Sequence, residues 1–112
     1  MPTTLPPAEA LRFDSLVTPT ARGIASRVLA RTAAGNITLF AFDAGEELAE
    51  HSAPFDSLVV TLKGALTLTI SGRQVLAVPD TIVLMPANLP HAIQAGEPSR
   101  MLLIMLREPT TA

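Results

Sequence analysis

Reactive chemistry has few places to start in this chain. It contains two histidines and no cysteine, tyrosine or tryptophan. His51 and His91 are therefore the only side chains whose ordinary titration lies near neutrality. Each stands at the edge of a strand-like run and is flanked by proline, in His51-Ser-Ala-Pro54 and in Pro86-Ala-Asn-Leu-Pro90-His91. Two imidazoles that meet could ligate a divalent ion, exchange a proton, or hydrogen-bond a carboxylate or hydroxyl. Taken singly, each is an ordinary surface or half-buried histidine. The absence of cysteine excludes disulfides, thiolate metal sites, iron–sulfur clusters and cysteine nucleophiles together. No glycine-rich phosphate loop occurs, and Gly35-Asn36 and Ser71-Gly72 read as hairpin turns. Ser52, Ser57 and Ser71 lack the glycines of a nucleophile elbow. Glu46, Glu47 and Glu50 form a hydrated edge rather than an acid/base pair.

The elements that must position the histidines are short apolar runs separated by turn residues. Ser26–Thr32, Ile37–Ala44, Leu58–Lys63, Ala65–Ile70, Gln74–Val78, Thr81–Met85, His91–Ala95 and Met101–Arg107 are punctuated by glycine, proline, asparagine and aspartate. In the fourth run Leu66, Leu68 and Ile70 alternate with Thr67, Thr69 and Ser71, the period of a strand with one buried face. Many short strands at this spacing imply an all-β sandwich or barrel. A chain of 112 residues builds one domain. Residues 1–22 read as an N-terminal arm, mobile over its proline-rich first part and with one helical turn at Ala8–Leu11, and residues 23–112 as the domain.

Two runs, Ile82–Met85 and Met101–Leu106, are apolar at both alternating sets of positions. A small two-layer fold leaves an outer face wet, so these runs need a cover, either the N-terminal segment or a second subunit. We expect a homodimer. Seven scattered arginines and one lysine against ten acidic residues form no basic stripe, so nucleic acid is not an expected partner. The N-terminus has no signal-peptide pattern and no run is long enough to cross a bilayer, so a cytoplasmic protein without a membrane partner is expected.

The spacing around the histidines resembles the cupin superfamily, small jelly-roll barrels also called RmlC-like. The first cupin motif runs glycine, His-x-His, glutamate, glycine; here the same intervals carry Gly45, His51, Ala53, Ser57 and Gly64. The second runs glycine, Pro-x-Gly, histidine, asparagine; here it is Asp80, Pro86-Ala87-Asn88, His91 and Ala95, with 15 residues (65–79) between the motifs. The resemblance implies a cupin double-stranded β-helix. Metal-binding cupins use two histidines and the glutamate of the first motif and the histidine of the second. Of these, only His51 and His91 remain, as a degenerate set. The resemblance thus implies a metal-free or weakly metal-binding site, in which nickel, zinc, iron or manganese would be held by His51 and His91 alone. Asp56 stands one position before the lost glutamate, and strand alternation turns it to the opposite face unless the backbone is irregular there.

The motifs also place Ala53, Phe55, Ser57, Met85 and Ile93 around the histidines, a small and largely apolar pocket for an organic ligand. Arg100 and Gln94 are candidates for polar contacts at its mouth. Three functions follow: a small-molecule binder; a metal-dependent enzyme of dioxygenase, isomerase or decarboxylase type using His51 and His91; and a dimeric interaction protein with a filled barrel. Fold does not choose among them.

Overall fold

The computed structural model describes residues 4–108. Nine strands form two antiparallel sheets: β1 (Ile24–Thr32), β2 (Gly35–Phe42), β3 (Glu47–His51), β4 (Ser57–Lys63), β5 (Leu66–Ile70), β6 (Arg73–Ala77), β7 (Ile82–Met85), β8 (His91–Ala95) and β9 (Ser99–Leu106). The larger sheet has the order β1-β2-β9-β4-β7 and the smaller β3-β8-β5-β6. Every predicted run became a strand to within a few residues. β3 is the addition, because its sequence Glu-Leu-Ala-Glu-His carries one apolar side chain that packs inward, Leu48. It is an edge strand, exposed along most of its length, so no alternation announces it.

Turn chemistry sets the registers. Ser71 and Gly72 both take positive φ, 48° and 79°, which is the backbone of a tight two-residue hairpin, and they join Ile70 to Arg73. The β1–β2 hairpin turns one step earlier than its glycine suggests. Thr32 pairs with Gly35, Ala33 and Ala34 form the tip, and Gly35-Asn36 already belongs to β2. A Cβ at Gly35 would overlap the Met105 carbonyl of the neighbouring β9, which accounts for glycine there.

Each strand of the smaller sheet continues into or from a strand of the larger through a short connection, at 43–46 (β2–β3), 64–65 (β4–β5), 78–81 (β6–β7) and 96–98 (β8–β9). All four lie at one end, the floor. They stack β3 over β2, β8 over β9, β5 over β4 and β6 over β7. At the floor Gly64, at φ 79°, lies against Pro98 and Ser99 with no room for a Cβ. The opposite end is the mouth, formed by the 33–34, 52–56, 71–72 and 86–90 connections.

Between the sheets lies one core. Phe42, Val59, Met85 and Met101 meet Leu66, Leu68, Ala77, Ile93 and Ala95, each at most 3% exposed. The segment before β1 packs rather than hanging free. Its helical turn is a 3-10 turn at Phe13–Ser15, not at Ala8–Leu11. Leu16 beyond it is buried against the outer face with Leu29 and Leu39. Arg100 holds this segment through Asp14 at 3.9 Å and the carbonyls of Phe13 and Val17, each at 3.5 Å. The arm therefore covers part of the outer sheet face. Ile82 and Leu84 of β7 stay 60% and 51% exposed, so that run is not buried on both faces within one chain. No described helix is long and apolar enough to cross a membrane.

Candidate functional site

The last row of the smaller sheet at the mouth reads His51, His91, Ile70 and Arg73 across β3, β8, β5 and β6. A register irregularity in β3 between Leu48 and His51 brings His51 directly opposite His91. Their Nε2 atoms lie 3.3 Å apart, and the rings meet edge to face with centroids at 4.4 Å and planes at 72°. The two environments differ. His91 is 5% exposed, whereas His51 stands open to solvent.

Hydrogen bonding fixes the neutral tautomers. His51 Nδ1 lies 3.0 Å from the Ala49 carbonyl, an acceptor, so Nδ1 carries the proton and Nε2 presents a lone pair. His91 Nε2–H then donates to it, which leaves the buried His91 Nδ1 as an acceptor without a partner. His91 is held below its ordinary pKa, first by burial and then by the charge of His51, with the Leu89 backbone opposing.

The chain matches the family described as an AraC-like ligand binding domain over residues 35–109. It belongs to that family, and its fold is a cupin. It is similar, at 30% identity, to a cupin superfamily protein from Desulfitobacterium hafniense; the match covers 94% of this chain and 96% of that one, with TM-score 0.86. It is likewise similar to a conserved protein of unknown function from Streptococcus pyogenes, at 30% identity, 96% and 94% coverage and TM-score 0.89. An RmlC-like cupin from Shewanella frigidimarina, 11% identical over 90% of this chain and 91% of that one, shares the fold at TM-score 0.77. Nothing among curated proteins matches.

Where this cupin departs from the motif glycines, the backbone explains how. Asp80 and Asn88 stand in two glycine positions and keep positive φ, 68° and 66°. Aspartate and asparagine are the non-glycine residues that best tolerate that region.

Where it departs from the metal ligands, no described residue substitutes. Two nitrogens 3.3 Å apart subtend ~107° at an ion ~2.05 Å from each, close to tetrahedral, so the pair suits one ion's angle. The donor set ends there. Among the described residues no group of three histidine, cysteine, aspartate or glutamate side chains converges. Asp56 does not turn toward the histidines; its Oδ1 accepts the Ala87 N–H at 2.8 Å and ties the 52–56 connection to 86–90. The residues present do not make a closed centre for a resident ion.

The expected pocket residues separate into two groups. Ser57, Met85 and Ile93 are 1–3% exposed and belong to the packed interior. Ala53 and Phe55 belong to the 52–56 connection: the Ala53 carbonyl accepts the Asn88 N–H at 2.7 Å, and Phe55 lies under the Arg107 guanidinium at 5.2 Å from its ring centroid. Phe55, Asp56, Ala87, Leu106, Arg107 and Glu108 help to line a cleft of about 610 Å³. Arg100 and Gln94 are not at the mouth. Arg100 grips the N-terminal segment, and Gln94 donates to Glu47 at 3.0 Å.

Sequence reasoning missed the opposite wall. The corresponding row of the larger sheet reads Arg31, Asn36, Met105, Ser57 and Met85. Asn36 lies at the mouth end of β2, on the face that Phe40 and Phe42 turn to the core. The Ala33-Ala34 turn was the available signal, because a two-residue hairpin there pairs Arg31 with Asn36.

Proposed function

We propose that this cupin binds a small organic ligand at the mouth of its barrel, around His51 and His91, without a resident metal. The observation that carries the reading is the convergence of the two Nε2 atoms at 3.3 Å with one ring open to solvent and the other buried behind it. The exposed ring is accessible, with the Ala49 carbonyl setting its tautomer and the buried ring packed against it. A guest that displaces the Nε2–Nε2 bond can take its place, accepting from one ring or donating to the other through a carboxyl, hydroxyl or carbonyl group. Because the row below is filled by Leu48, Ile93, Leu68 and Val75, the ligand sits at the mouth and not deep in the lumen. Membership of a ligand-binding family supports the same reading. A metal-dependent enzyme would need a third donor from outside the described residues.

Elemental analysis of protein prepared without a histidine tag tests the metal half; iron, manganese, zinc or nickel well below one per chain is expected, and near-stoichiometric metal overturns it. For the ligand half, a fragment panel should shift the imidazole NMR signals of the wild type, and His51→Ala should weaken binding about tenfold or more. Unchanged affinities in that variant would remove His51 from the site.

The filled interior favours a second reading alongside the first, an interaction role with a homodimer as its unit. Its support is the outer face of β4, β7 and β9, where Leu58, Val60, Ile82, Leu84 and Ile104 are cross-strand neighbours and carry no charge. A twofold axis sets such a patch against itself without like-charge conflict. Light scattering at micromolar concentration should give twice the chain mass; a monomer there removes this reading.

A further inference from the structure

Resting on the mouth as the binding site, we infer that its ligand is a small hydroxy acid, with the carboxylate taken by Arg31 and Arg107 and the hydroxyl by Asn36. The wall that faces the histidines is polar where β1 and β2 end. Arg31 and Asn36 are cross-strand partners at the ends of β1 and β2. Asn36 shares its face of β2 with Phe40 and Phe42, which pack into the core, so this is the inner face. Arg107 lies two residues beyond Met105, the partner of Asn36 on the other side. Arg31, Asn36 and Arg107, with Thr32 and Gly35, enclose a recess of about 260 Å³.

Two features mark the recess as built for a guest. The first is charge without compensation: neither Arg31 nor Arg107 lies in an ion pair with any described carboxylate, and the Arg107 guanidinium lies over the Phe55 ring. Asp56 and Glu108 line the cleft on the far side of Arg107, but the Asp56 carboxylate is committed to the Ala87 N–H. Guanidinium forks match a carboxylate bidentately, and ring stacking holds the Arg107 fork in place at low entropic cost. The second feature is the Asn36 Oδ1, buried and without a donor. A buried acceptor is costly to leave unpaired, and a hydroxyl on the guest would satisfy it. The histidines do not line this recess; with facing sheets about 10 Å apart, a guest anchored on this wall lies across the mouth from them.

The test is an NMR titration of the full chain with lactate, 3-hydroxybutyrate and 4-hydroxybenzoate, each beside its amide and its deoxy acid. At least one hydroxy acid should bind tenfold or more tightly than its amide and severalfold more tightly than its deoxy acid. Arg31→Gln and Arg107→Gln should each lose about tenfold while melting as the wild type does. Amides that bind as well as acids, or arginine variants that bind unchanged, overturn the inference and leave the mouth reading standing. Deoxy acids that bind as well as hydroxy acids remove the role of Asn36. If no compound in any series moves the imidazole signals, both readings fall.

Discussion

The same strands that make the floor of the barrel make its mouth, and the two ends are built from opposite chemistry. Two rows inward from the mouth the smaller sheet contributes Ala95, Leu66 and Ala77, none more than 2% exposed, closed at the corner by Gly64 against Ser99. At the mouth the same strands end in His91, Ile70 and Arg73, and the facing wall ends in Arg31 and Asn36. Over a few residues per strand, complementary apolar packing gives way to two buried polar atoms without partners among the described residues, the His91 Nδ1 and the Asn36 Oδ1, beside the exposed Arg31 guanidinium. Packing explains most of the floor, where the Thr61 Oγ1 is the buried polar atom left without a partner. It does not explain the mouth, where buried polar atoms left unpaired cost stability and are retained where something other than folding uses them.

The sharpest way to break this contrast is to cut into the middle row. Leu68 is fully buried between the sheets, and Leu68→Ala removes side-chain volume that the rigid strands cannot collapse to fill. Denaturant unfolding should register a loss of about 2–5 kcal/mol. His51→Ala, one row away and exposed, should cost less than about 1 kcal/mol. Comparable losses at the two positions would mean that the mouth is structural after all.

A smaller effect separates the ends by pH. His91 is held below its ordinary value by burial and by His51, so the folded state favours its neutral form. As pH falls through about 6.5, the unfolded chain takes up a proton at this residue before the folded chain does. Stability from this site is therefore complete above about pH 6.5 and is lost as pH drops from there through the lower folded value. His91→Gln should flatten that part of the melting-temperature profile between pH 7 and 5. An unchanged slope would place the acid sensitivity elsewhere.

Legibility followed range in sequence. The strands of the packed interior were readable because burial on one face writes itself as Leu66-Thr67-Leu68-Thr69-Ile70. β3 was not, because an exposed edge strand has no apolar alternation to show. The convergence of His51 and His91 was readable only through the resemblance to the cupin motifs, whose spacing outlasted the replacement of two glycines: Asp80 and Asn88 keep the left-handed backbone those positions need. The wall opposite was hidden. It depends on which strands stack across the sandwich, and no local pattern records that. Arg100 illustrates the cost. It was a candidate for the mouth although nothing in the sequence fixes its direction, and β9 carries that residue at the floor end, facing outward toward Asp14.

The smallest expected effect bears on the lost ligand. Asp56 carries the only negative charge in the 52–56 connection, and it spends that charge on the Ala87 N–H at 2.8 Å. Because the bond is exposed, Asp56→Ala should cost about 0.5–1 kcal/mol, read as a small shift in the unfolding midpoint. Its value is diagnostic. If the two connections are merely tied together, the variant takes up added zinc or nickel as weakly as the wild type. If instead the carboxylate swings across to complete a set with His51 and His91, uptake collapses in Asp56→Ala. Only the first outcome agrees with a mouth whose two histidines bond to each other, and whose open side is left for an organic guest.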